Sequence, residues 1–380
     1  MPIYKVDGVK KDGLQKYLVR VNYTSDSGQA KQLTRTAYGS EVAKDLERKL
    51  EDQAKNKELE PGRKLTVQQL FDEYEAVKKF EIRESSLDKE KRNYGMYVQP
   101  TMAEVRIDKL TSPVLQQWKL SVEEKGLALK TRQHAYGIFR AILNYAVKME
   151  YIKKNPLLAV GTFKDALYTK PEMKIYTAEQ FLKYITAARC MAEERQEKHN
   201  DLSWWGFYVF FNIAFYTGLR KGEIHALKWS DLDGSLLHVR RSILQKLKGG
   251  DRETPPKNKS SIRTLQMPLP LIQVLDEHRA RQKQLTYFSD DYRICGGERC
   301  LRDSTISNRN KRYAEFAGLD RIRIHDFRHS HVSLLANESI NIQEIARRLG
   351  HSKIEETWNT YSHLYPREEE KAVEILNRVA

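Results

Sequence analysis

The sequence predicts a mainly α-helical protein with small β-sheets, of the α+β class, built from three domains. Apolar residues recur at helical spacing through most of the 380 residues, whereas apolar-polar alternation is confined to short segments. Polar stretches that contain proline interrupt these patterns at residues 55–64 and 167–174. The length suits two to three domains of roughly 150 residues each. We therefore expect domains at residues 1–60, 64–162 and 172–380.

The composition indicates a globular protein with a polyanionic partner. Lys and Arg number 66 and Asp and Glu 51, so the formal net charge is +15, and the sequence pI is near 9.4. Hydrophobic residues make up 40% of the chain, which excludes a wholly disordered protein. The excess of positive charge favours nucleic acid as the partner.

Nothing in the sequence points to a membrane or to an oxidising compartment. No apolar run approaches the roughly 18 residues of a membrane span, and the first residues lack the apolar core of a signal peptide. Cys190, Cys295 and Cys300 form no disulfide framework, and the last two lack a second ligand pair at zinc-site spacing. We therefore expect a protein of the reducing cytoplasm with no membrane partner, no metal and no cofactor.

The first segment has the pattern of a small sheet followed by one helix. Apolar and aromatic side chains alternate along residues 17–23, and residues 31–37 can return as a second strand after a turn signal. Ser40 can cap the helix that follows. The opposite strand faces are expected to carry three basic residues, Arg20, Lys31 and Arg35. These residues form either DNA contacts or a solvated face.

The second segment is helical in pattern throughout. Thr66 can cap its first helix, and Pro113 stands near the start of another. A longer helix is expected to begin at Thr131, and the segment ends at Asn155 and Pro156. Basic residues stud this longer helix and its start, namely Lys130, Arg132 and Arg140. They either contact phosphates or are only solvated.

The third segment opens with a capping-box pattern at Thr177 and is mixed α/β. Helices dominate, and strands are expected at residues 236–243 and 263–268. The stretch between these strands is predicted to be a long, basic hairpin loop.

Cationic and histidine side chains in the third segment suit attack on a phosphodiester. Negative charge accumulates on the non-bridging phosphate oxygens, and guanidinium groups bind such oxygens bidentately. Arg220 and Arg328 can supply these groups. His325 and His351 can donate hydrogen bonds to the phosphate or transfer protons. These cations replace a metal ion, so none is required.

The same chemistry needs a nucleophile and a general acid. Tyr361 can supply a phenolic oxygen for a covalent phosphotyrosyl link. Lys257, in the predicted loop, can protonate the leaving 5′ oxygen, which is otherwise a poor leaving group. Tyr365 competes with Tyr361, and Lys259 competes with Lys257. His329, His331 and His363 are expected either to support the site residues without touching the phosphate or to be packing residues.

Five motifs of the third segment, in their order and spacing, resemble those of the tyrosine recombinases, or phage-type integrases. They are TGLRKGE at 217–223, PKNKSSIR at 256–263, HDFRH at 325–329, LGHS at 349–352 and Tyr361. The resemblance implies that Arg220, Lys257, His325, Arg328 and His351 surround the phosphate and that Tyr361 is the nucleophile. Glu223 is expected to support Arg220. The distance of Lys257 from Arg263 favours it over Lys259.

The resemblance extends to the whole three-domain layout of integrases from temperate phages and conjugative transposons. Residues 1–60 look like an arm-type DNA-binding domain, residues 64–162 like a helical core-binding domain, and residues 172–380 like the catalytic domain. In such proteins a three-stranded sheet lies in the DNA major groove. The segment 368–379 could form an amphipathic helix that docks on a neighbouring protomer.

The implied function is integration and excision of a mobile element in a bacterial cytoplasm. DNA is cut and rejoined through a 3′-phosphotyrosine and a Holliday junction, without ATP. The implied partners are core and arm attachment sites on double-stranded DNA and a homotetramer in the synaptic complex. An excisionase or a DNA-bending protein is left open as a further partner. The alternatives are a type IB topoisomerase-like enzyme and a non-catalytic DNA-binding regulator.

Overall fold

The computed structural model describes residues 3–24, 30–55, 65–169, 172–245, 250–254, 259–284, 287–365, 373–374 and 376–378. It confirms the predicted mainly helical α+β class with small antiparallel sheets. The chain separates into two compact units, residues 1–170 and 171–380. Within the described ranges, no helix is both long and apolar enough to cross a membrane.

The N-terminal segment is an antiparallel sheet with strand order β1-β2-β3, packed on one helix. Its elements are β1 (Ile3–Lys11), β2 (Leu14–Thr24), β3 (Ala30–Tyr38) and α1 (Ser40–Lys55). Asp12 and Gly13 join β1 to β2 with positive φ angles of 50° and 75°, the backbone that a tight two-residue hairpin turn requires. The sheet thus gains a strand, β1, that the sequence pattern did not predict.

The basic residues of this sheet do not share one face, contrary to the prediction. Arg35 lies opposite Val19 and Lys31 opposite Tyr23. Cross-strand partners point to the same side, so both basic residues are on the side of α1. Arg20 lies on the open side, where its guanidinium stands 4.9 Å from the centre of the Tyr4 ring. The register between β2 and β3 decides these sides, and residue type does not reveal it.

The second segment is a cluster of helices around its own apolar core. The helices are α2 (Val67–Glu81), α3 (Glu84–Tyr97), α4 (Gln99–Met102), α5 (Ser112–Glu123), α6 (Leu129–Lys148) and α7 (Leu157–Val160). The predicted capping box of Thr66 is confirmed, because its hydroxyl accepts from the Gln69 amide and the Gln69 side chain accepts from the Thr66 amide. Trp118 of α5 is buried edge-on against Phe139 of α6.

The third segment surrounds α9, a helix that is buried along nearly its whole length. Its helices are α8 (Ala178–His199), α9 (Ser203–Thr217), α10 (Lys221–Ala226), α11 (Leu269–Gln282), α12 (Asp303–Phe316), α13 (Asp326–Asn337), α14 (Ile342–Leu349) and α15 (Ile354–Tyr361). The predicted capping box at Thr177 is confirmed. Aromatic rings fill the core, such as Phe181 stacked on Phe215 with centroids 3.7 Å apart. Of the expected C-terminal helix at 368–379, only residues 373–374 and 376–378 are described.

The strands of this segment differ from the prediction. They are β4 (Leu232–Asp233), β5 (Leu236–Val239), β6 (Ser242–Leu244), β7 (Arg252–Thr254) and β8 (Arg263–Gln266). β5 pairs with β4 and β8, whereas β6 pairs with β7 in a separate ladder. The expected strand at 236–243 is therefore two strands, and part of the expected loop is a hairpin. Arg240 and Arg241, at the break, both form ion pairs with the buried Asp231.

Candidate active site

The end of α9 places Arg220 at the start of α10. Gly218 ends α9 with a φ of +64°, and a Cβ there would lie 2.7 Å from the His331 ring, so only glycine fits. The chain then turns, and Arg220 precedes the first residue of α10. Its backbone amide and its Nη1 both donate to Glu223, each at 3.0 Å. Glu223 therefore supports Arg220, as expected.

Glu223 also forms an ion pair with Arg263. Arg263 is the last residue of the PKNKSSIR motif, and no role was predicted for it. Arg263 Nη2 donates to Glu223 Oε2 at 3.0 Å, and Nη1 donates to Oε1 at 3.3 Å. Burial alone would raise the pKa of Glu223, but the charges of Arg263 and Arg220 outweigh it and hold the pKa below its ordinary value. An ionised, buried carboxylate thus connects β8 to the first arginine of the site.

Arg220, Arg263 and Arg328 form a cluster at the C-terminal end of α14, which accepts hydrogen bonds from all three. Arg263 Nε donates to the carbonyl of Arg348 at 2.6 Å. Arg328 Nη2 and Arg220 Nη1 donate to the carbonyl of Leu349 at 2.9 and 3.4 Å. These carbonyls have no partner within the helix, and they form the negative end of its dipole. The helix end therefore offsets part of the repulsion between the guanidinium groups.

Arg328 is the buried centre of the cluster, with 3% of its surface exposed. Its Nη1 donates to the carbonyl of Gly218 at 2.8 Å. Burial, and next the charge of Arg220, lower the pKa of Arg328 to about 9. The group remains a cation at neutral pH, ready to be neutralised by an anion such as a phosphate.

His351 follows Gly350, which ends α14 with a φ of +64°. Its Nδ1 lies 2.7 Å from the Thr357 hydroxyl, and its Nε2 lies 2.9 Å from Arg328 Nη2. A guanidinium can only donate, so Nε2 is the acceptor and the ring hydrogen is on Nδ1. Burial and the charge of Arg328 lower the pKa of His351 to about 4.

Tyr361 ends α15 and is the buried tyrosine of this cluster, 2% exposed. Burial raises the pKa of its phenol, but the charges of Arg328 and Arg220 oppose that rise. The hydroxyl is 2.7 Å from Nδ1 of His329. The competing Tyr365 donates its hydroxyl to the carbonyl of Ile340 instead. The position beside the arginines therefore favours Tyr361.

The remaining predicted residues are placed less closely together. His325 is exposed at the start of α13, and desolvation and the charge of Arg328 lower its pKa. Lys257 lies outside the described residues, as does the side chain of His363. On α6, Lys130 and Arg140 are exposed, whereas Arg132 forms an ion pair with Glu123 at 2.8 Å and a longer one with Asp165.

Two family models match the sequence. The Phage integrase family matches residues 191–368, and the Phage integrase, N-terminal SAM-like domain matches residues 66–119. A tyrosine recombinase XerC-like protein of Caldanaerobacter subterraneus subsp. tengcongensis is 30% identical over 293 residues, which is 72% of each chain. The chain belongs to the phage integrase family of tyrosine recombinases.

Other tyrosine recombinases extend the likeness to nearly the full length. The ICEBs1 integrase of Bacillus subtilis is 27% identical over 97% of this chain and 99% of its own. The Tn1549 transposon integrase in complex with transposon right end DNA has a TM-score of 0.65 at 22% identity, covering 83% of this chain and 100% of its own. A lambda integrase tetramer bound to a Holliday junction has a TM-score of 0.56 at 15% identity, over 96% and 95%. Membership of the family supports the recombinase interpretation over the topoisomerase-like enzyme and the non-catalytic regulator.

Three contacts of the site were not predicted from the sequence. They involve Arg263, Thr357 and His329. The last had a usable signal, because His325 and His329 are four residues apart and therefore share one face of a helix. Their rings indeed meet edge to face, with centroids 4.9 Å apart. Arg263 and Thr357 had no such local signal.

Proposed function

We propose that Tyr361 is the nucleophile of a site-specific DNA recombinase and that Arg220, Lys257, His325, Arg328 and His351 act on the same phosphate. The observation that carries this proposal is the position of the Tyr361 hydroxyl, buried in a cluster where burial raises its pKa and the charges of Arg328 and Arg220 oppose that rise. A phenol needs such stabilisation, since its ionised form is otherwise scarce at neutral pH.

Each residue has a part in the reaction. Arg220 and Arg328 bind the non-bridging oxygens and stabilise the charge that grows there in the transition state. Tyr361 attacks phosphorus and forms a 3′-phosphotyrosine, while Lys257 protonates the departing 5′ oxygen. A 5′-hydroxyl of a partner duplex then attacks the phosphotyrosine and rejoins the strands. The covalent link conserves the phosphodiester bond energy, so the reaction needs no ATP.

His325 and His351 act as polar groups at the phosphate. With its hydrogen on Nδ1, His351 has Nε2 oriented by Arg328. An incoming phosphate would take Arg328 as its own partner, and a ring hydrogen on Nε2 could then donate to a phosphate oxygen. His325 is exposed at the start of α13, and we assign it a hydrogen bond to the same anion.

The domain arrangement supports a mobile-element integrase. We assign arm-site DNA binding to residues 1–60, core-site binding to residues 64–162 and catalysis to residues 172–380. Arg20 on the open side of the sheet, with Lys130 and Arg140 exposed on α6, are the proposed DNA contacts that the described residues favour. Lys31, Arg35 and Arg132 remain candidate DNA contacts. Lys31 and Arg35 lie on the α1 side of the sheet, and Arg132 forms an ion pair with Glu123.

The partners are double-stranded attachment sites and three further copies of the chain. The similar Tn1549 integrase forms a complex with transposon right end DNA, and the lambda integrase forms a tetramer bound to a Holliday junction. By extension, this chain forms a tetramer on two DNA sites when it integrates or excises its element, and an excisionase or a bending protein can set the direction.

A nicked duplex that carries the end sequence of the element tests this function. After cleavage the short strand diffuses away, so the covalent protein–DNA adduct accumulates. We expect the adduct with the native protein and with Tyr365→Phe, and its absence with Tyr361→Phe. An adduct in Tyr361→Phe would place the nucleophile elsewhere. Cleavage that leaves no protein on the DNA would refute the proposed function altogether.

A further inference from the structure

We propose that His329 accepts the proton of the Tyr361 hydroxyl during strand cleavage. This inference rests on the proposed function of Tyr361 as the nucleophile, and it assigns a catalytic part to a residue that the sequence motifs leave as packing. It requires the neutral ring to carry its hydrogen on Nε2, with a free lone pair on Nδ1.

The geometry meets the first requirement of a general base, which is contact with the proton to be moved. Nδ1 of His329 lies 2.7 Å from the Tyr361 oxygen, well within hydrogen-bond reach. If the O–H donates to this nitrogen, the oxygen keeps a lone pair for attack on phosphorus beside the hydrogen bond that it shares with Arg328. Tyr361 is 2% exposed, so bulk water has little access to the proton.

The other histidines of the cluster are engaged elsewhere. Nδ1 and Nε2 of His351 contact Thr357 and Arg328. The ring of His325 packs edge to face on the ring of His329, at 86° between planes. Among the hydrogen bonds between described side chains, the histidine that reaches the phenol is His329.

Electrostatics keep the acceptor nitrogen available. Burial and the neighbouring His325 lower the pKa of His329 to about 4, so the ring is neutral at neutral pH. Arg323 and Arg328 act in the same direction, and Asp326 opposes them. A bound phosphate adds negative charge beside the ring and so raises the pKa of His329. This reduces the difference between the pKa of His329 and that of the Tyr361 phenol. Proton transfer is thereby coupled to the presence of DNA.

The step balances in both directions. The proton moves from the Tyr361 oxygen to Nδ1 of His329, the oxygen–phosphorus bond forms, and the bond from phosphorus to the 5′ oxygen breaks. The leaving 5′ oxygen takes its proton from the general acid assigned to Lys257. During rejoining, a 5′-hydroxyl gives its proton to the deprotonated amine assigned to Lys257 and attacks phosphorus, the bond from phosphorus to the Tyr361 oxygen breaks, and the departing phenolate recovers its proton from the His329 imidazolium.

Single-turnover adduct formation on the nicked duplex tests the inference. We expect His329→Ala to slow the reaction about a hundredfold or more, the lower end of the range for general-base loss. Added imidazole should restore part of that rate. Replacing Tyr361 by a fluorinated tyrosine, whose phenol ionises more readily, should shrink the difference between His329→Ala and the parent. The exposed His199→Ala is the control, and imidazole should leave it unchanged.

His329→Asn separates proton transfer from positioning. The amide oxygen can take the place of Nδ1 as a hydrogen-bond acceptor, but it is not basic. We expect His329→Asn to form the adduct as slowly as His329→Ala does. The fluorinated tyrosine should change the rates of the two variants by the same factor. A fast His329→Asn, an unchanged His329→Ala, or a loss that neither imidazole nor fluorination reduces would each overturn the inference.

These outcomes are distinct from failure of the proposed function. If the native protein forms an adduct that Tyr361→Phe lacks, Tyr361 is the nucleophile whatever the His329 variants do. If His329→Ala fails to fold, the effect of the fluorinated tyrosine is compared between the parent protein and His329→Asn. A base in contact predicts a weak response to phenol acidity in the parent and a strong response in His329→Asn, and equal responses would overturn the inference.

Discussion

Arg263 and Glu223 form an ion pair in which both side chains are only 5% exposed, between the start of β8 and the first turn of α10. Glu223 also binds the side chain and the backbone of Arg220, so the pair reaches an arginine that we propose binds the phosphate. Arg263 further binds the end of α14 just before His351. One guanidinium therefore connects three segments that carry groups of the site.

Breaking this pair should separate stability from catalysis. Arg263→Ala leaves a buried, ionised carboxylate, and we expect a loss of about 3–5 kcal/mol in the free energy of unfolding. The double variant Glu223→Leu with Arg263→Met should recover much of that loss, since a buried ion pair is often replaceable by apolar side chains. Adduct formation should stay slow in the double variant, because Arg220 loses its carboxylate. Urea unfolding and single-turnover kinetics measure the two effects, and a fully active double variant would show that Glu223 does not orient Arg220.

Gly350→Ala should harm both stability and activity. A Cβ at Gly350 would lie 2.9 Å from Arg263 Nη1 and 3.1 Å from the Ser260 carbonyl, and the backbone has a positive φ. Arg263 cannot move away cheaply, because its guanidinium is bound on several sides. Gly234→Ala is the matched control, with a φ of +55° and no atom within 4 Å of the added Cβ. We expect the control to lose about 1 kcal/mol through backbone strain alone. Gly350→Ala should lose more and also cleave slowly, and equal losses would contradict the importance of the close approach.

Lys257→Ala should bind DNA normally and cleave slowly. The proposed acid is needed only because the 5′ oxygen is a poor leaving group. A duplex with a 5′-bridging sulfur, whose thiolate leaves without a proton, should therefore restore most of the rate. Lys259→Ala is the comparison, and we expect it to be fast on both substrates. If instead the sulfur duplex rescues Lys259→Ala, the acid is Lys259.

We expect the third segment to lose stability in mild acid because its buried His278 resists protonation. Burial lowers the pKa of His278 to about 4, and its Nε2 lies 2.8 Å from the Ile294 carbonyl. The unfolded chain takes up this proton near pH 6.5, but the folded chain resists until about pH 4. The stabilising effect is thus complete above pH 6.5 and is lost as the pH falls toward 4, by about 3 kcal/mol in all. His278→Gln keeps a donor for Ile294 but cannot titrate.

The test is the difference in urea midpoint between native protein and His278→Gln across this pH range. We expect the urea midpoint of His278→Gln to rise relative to that of the native protein as the pH falls from 6.5 to 4. The exposed His199→Gln should show no such change relative to the native protein. Parallel curves for His278→Gln and the native protein would contradict the origin of the effect.

Local patterns were sufficient wherever the physics is local. The capping boxes at Thr66 and Thr177 depend on side chains three residues apart, and both were predicted correctly. Strand assignments were less successful. The break between β5 and β6 coincides with ion pairs of Arg240 and Arg241 with Asp231, and alternation alone does not reveal such contacts.

Residue types and their order along the chain determined the mainly helical class, the family and the set of side chains proposed to act on DNA, because these follow from local periodicity and from motifs. Tertiary structure alone decided which strand side bears Arg20, that Tyr361 rather than Tyr365 lies beside the arginines, and that Arg263 and His329 touch the site. Arg263 and Arg348 are 85 positions apart, and His329 and Tyr361 are 32 apart. Contacts over such separations depend on how helices and strands pack, and no pattern within a short window contains that information.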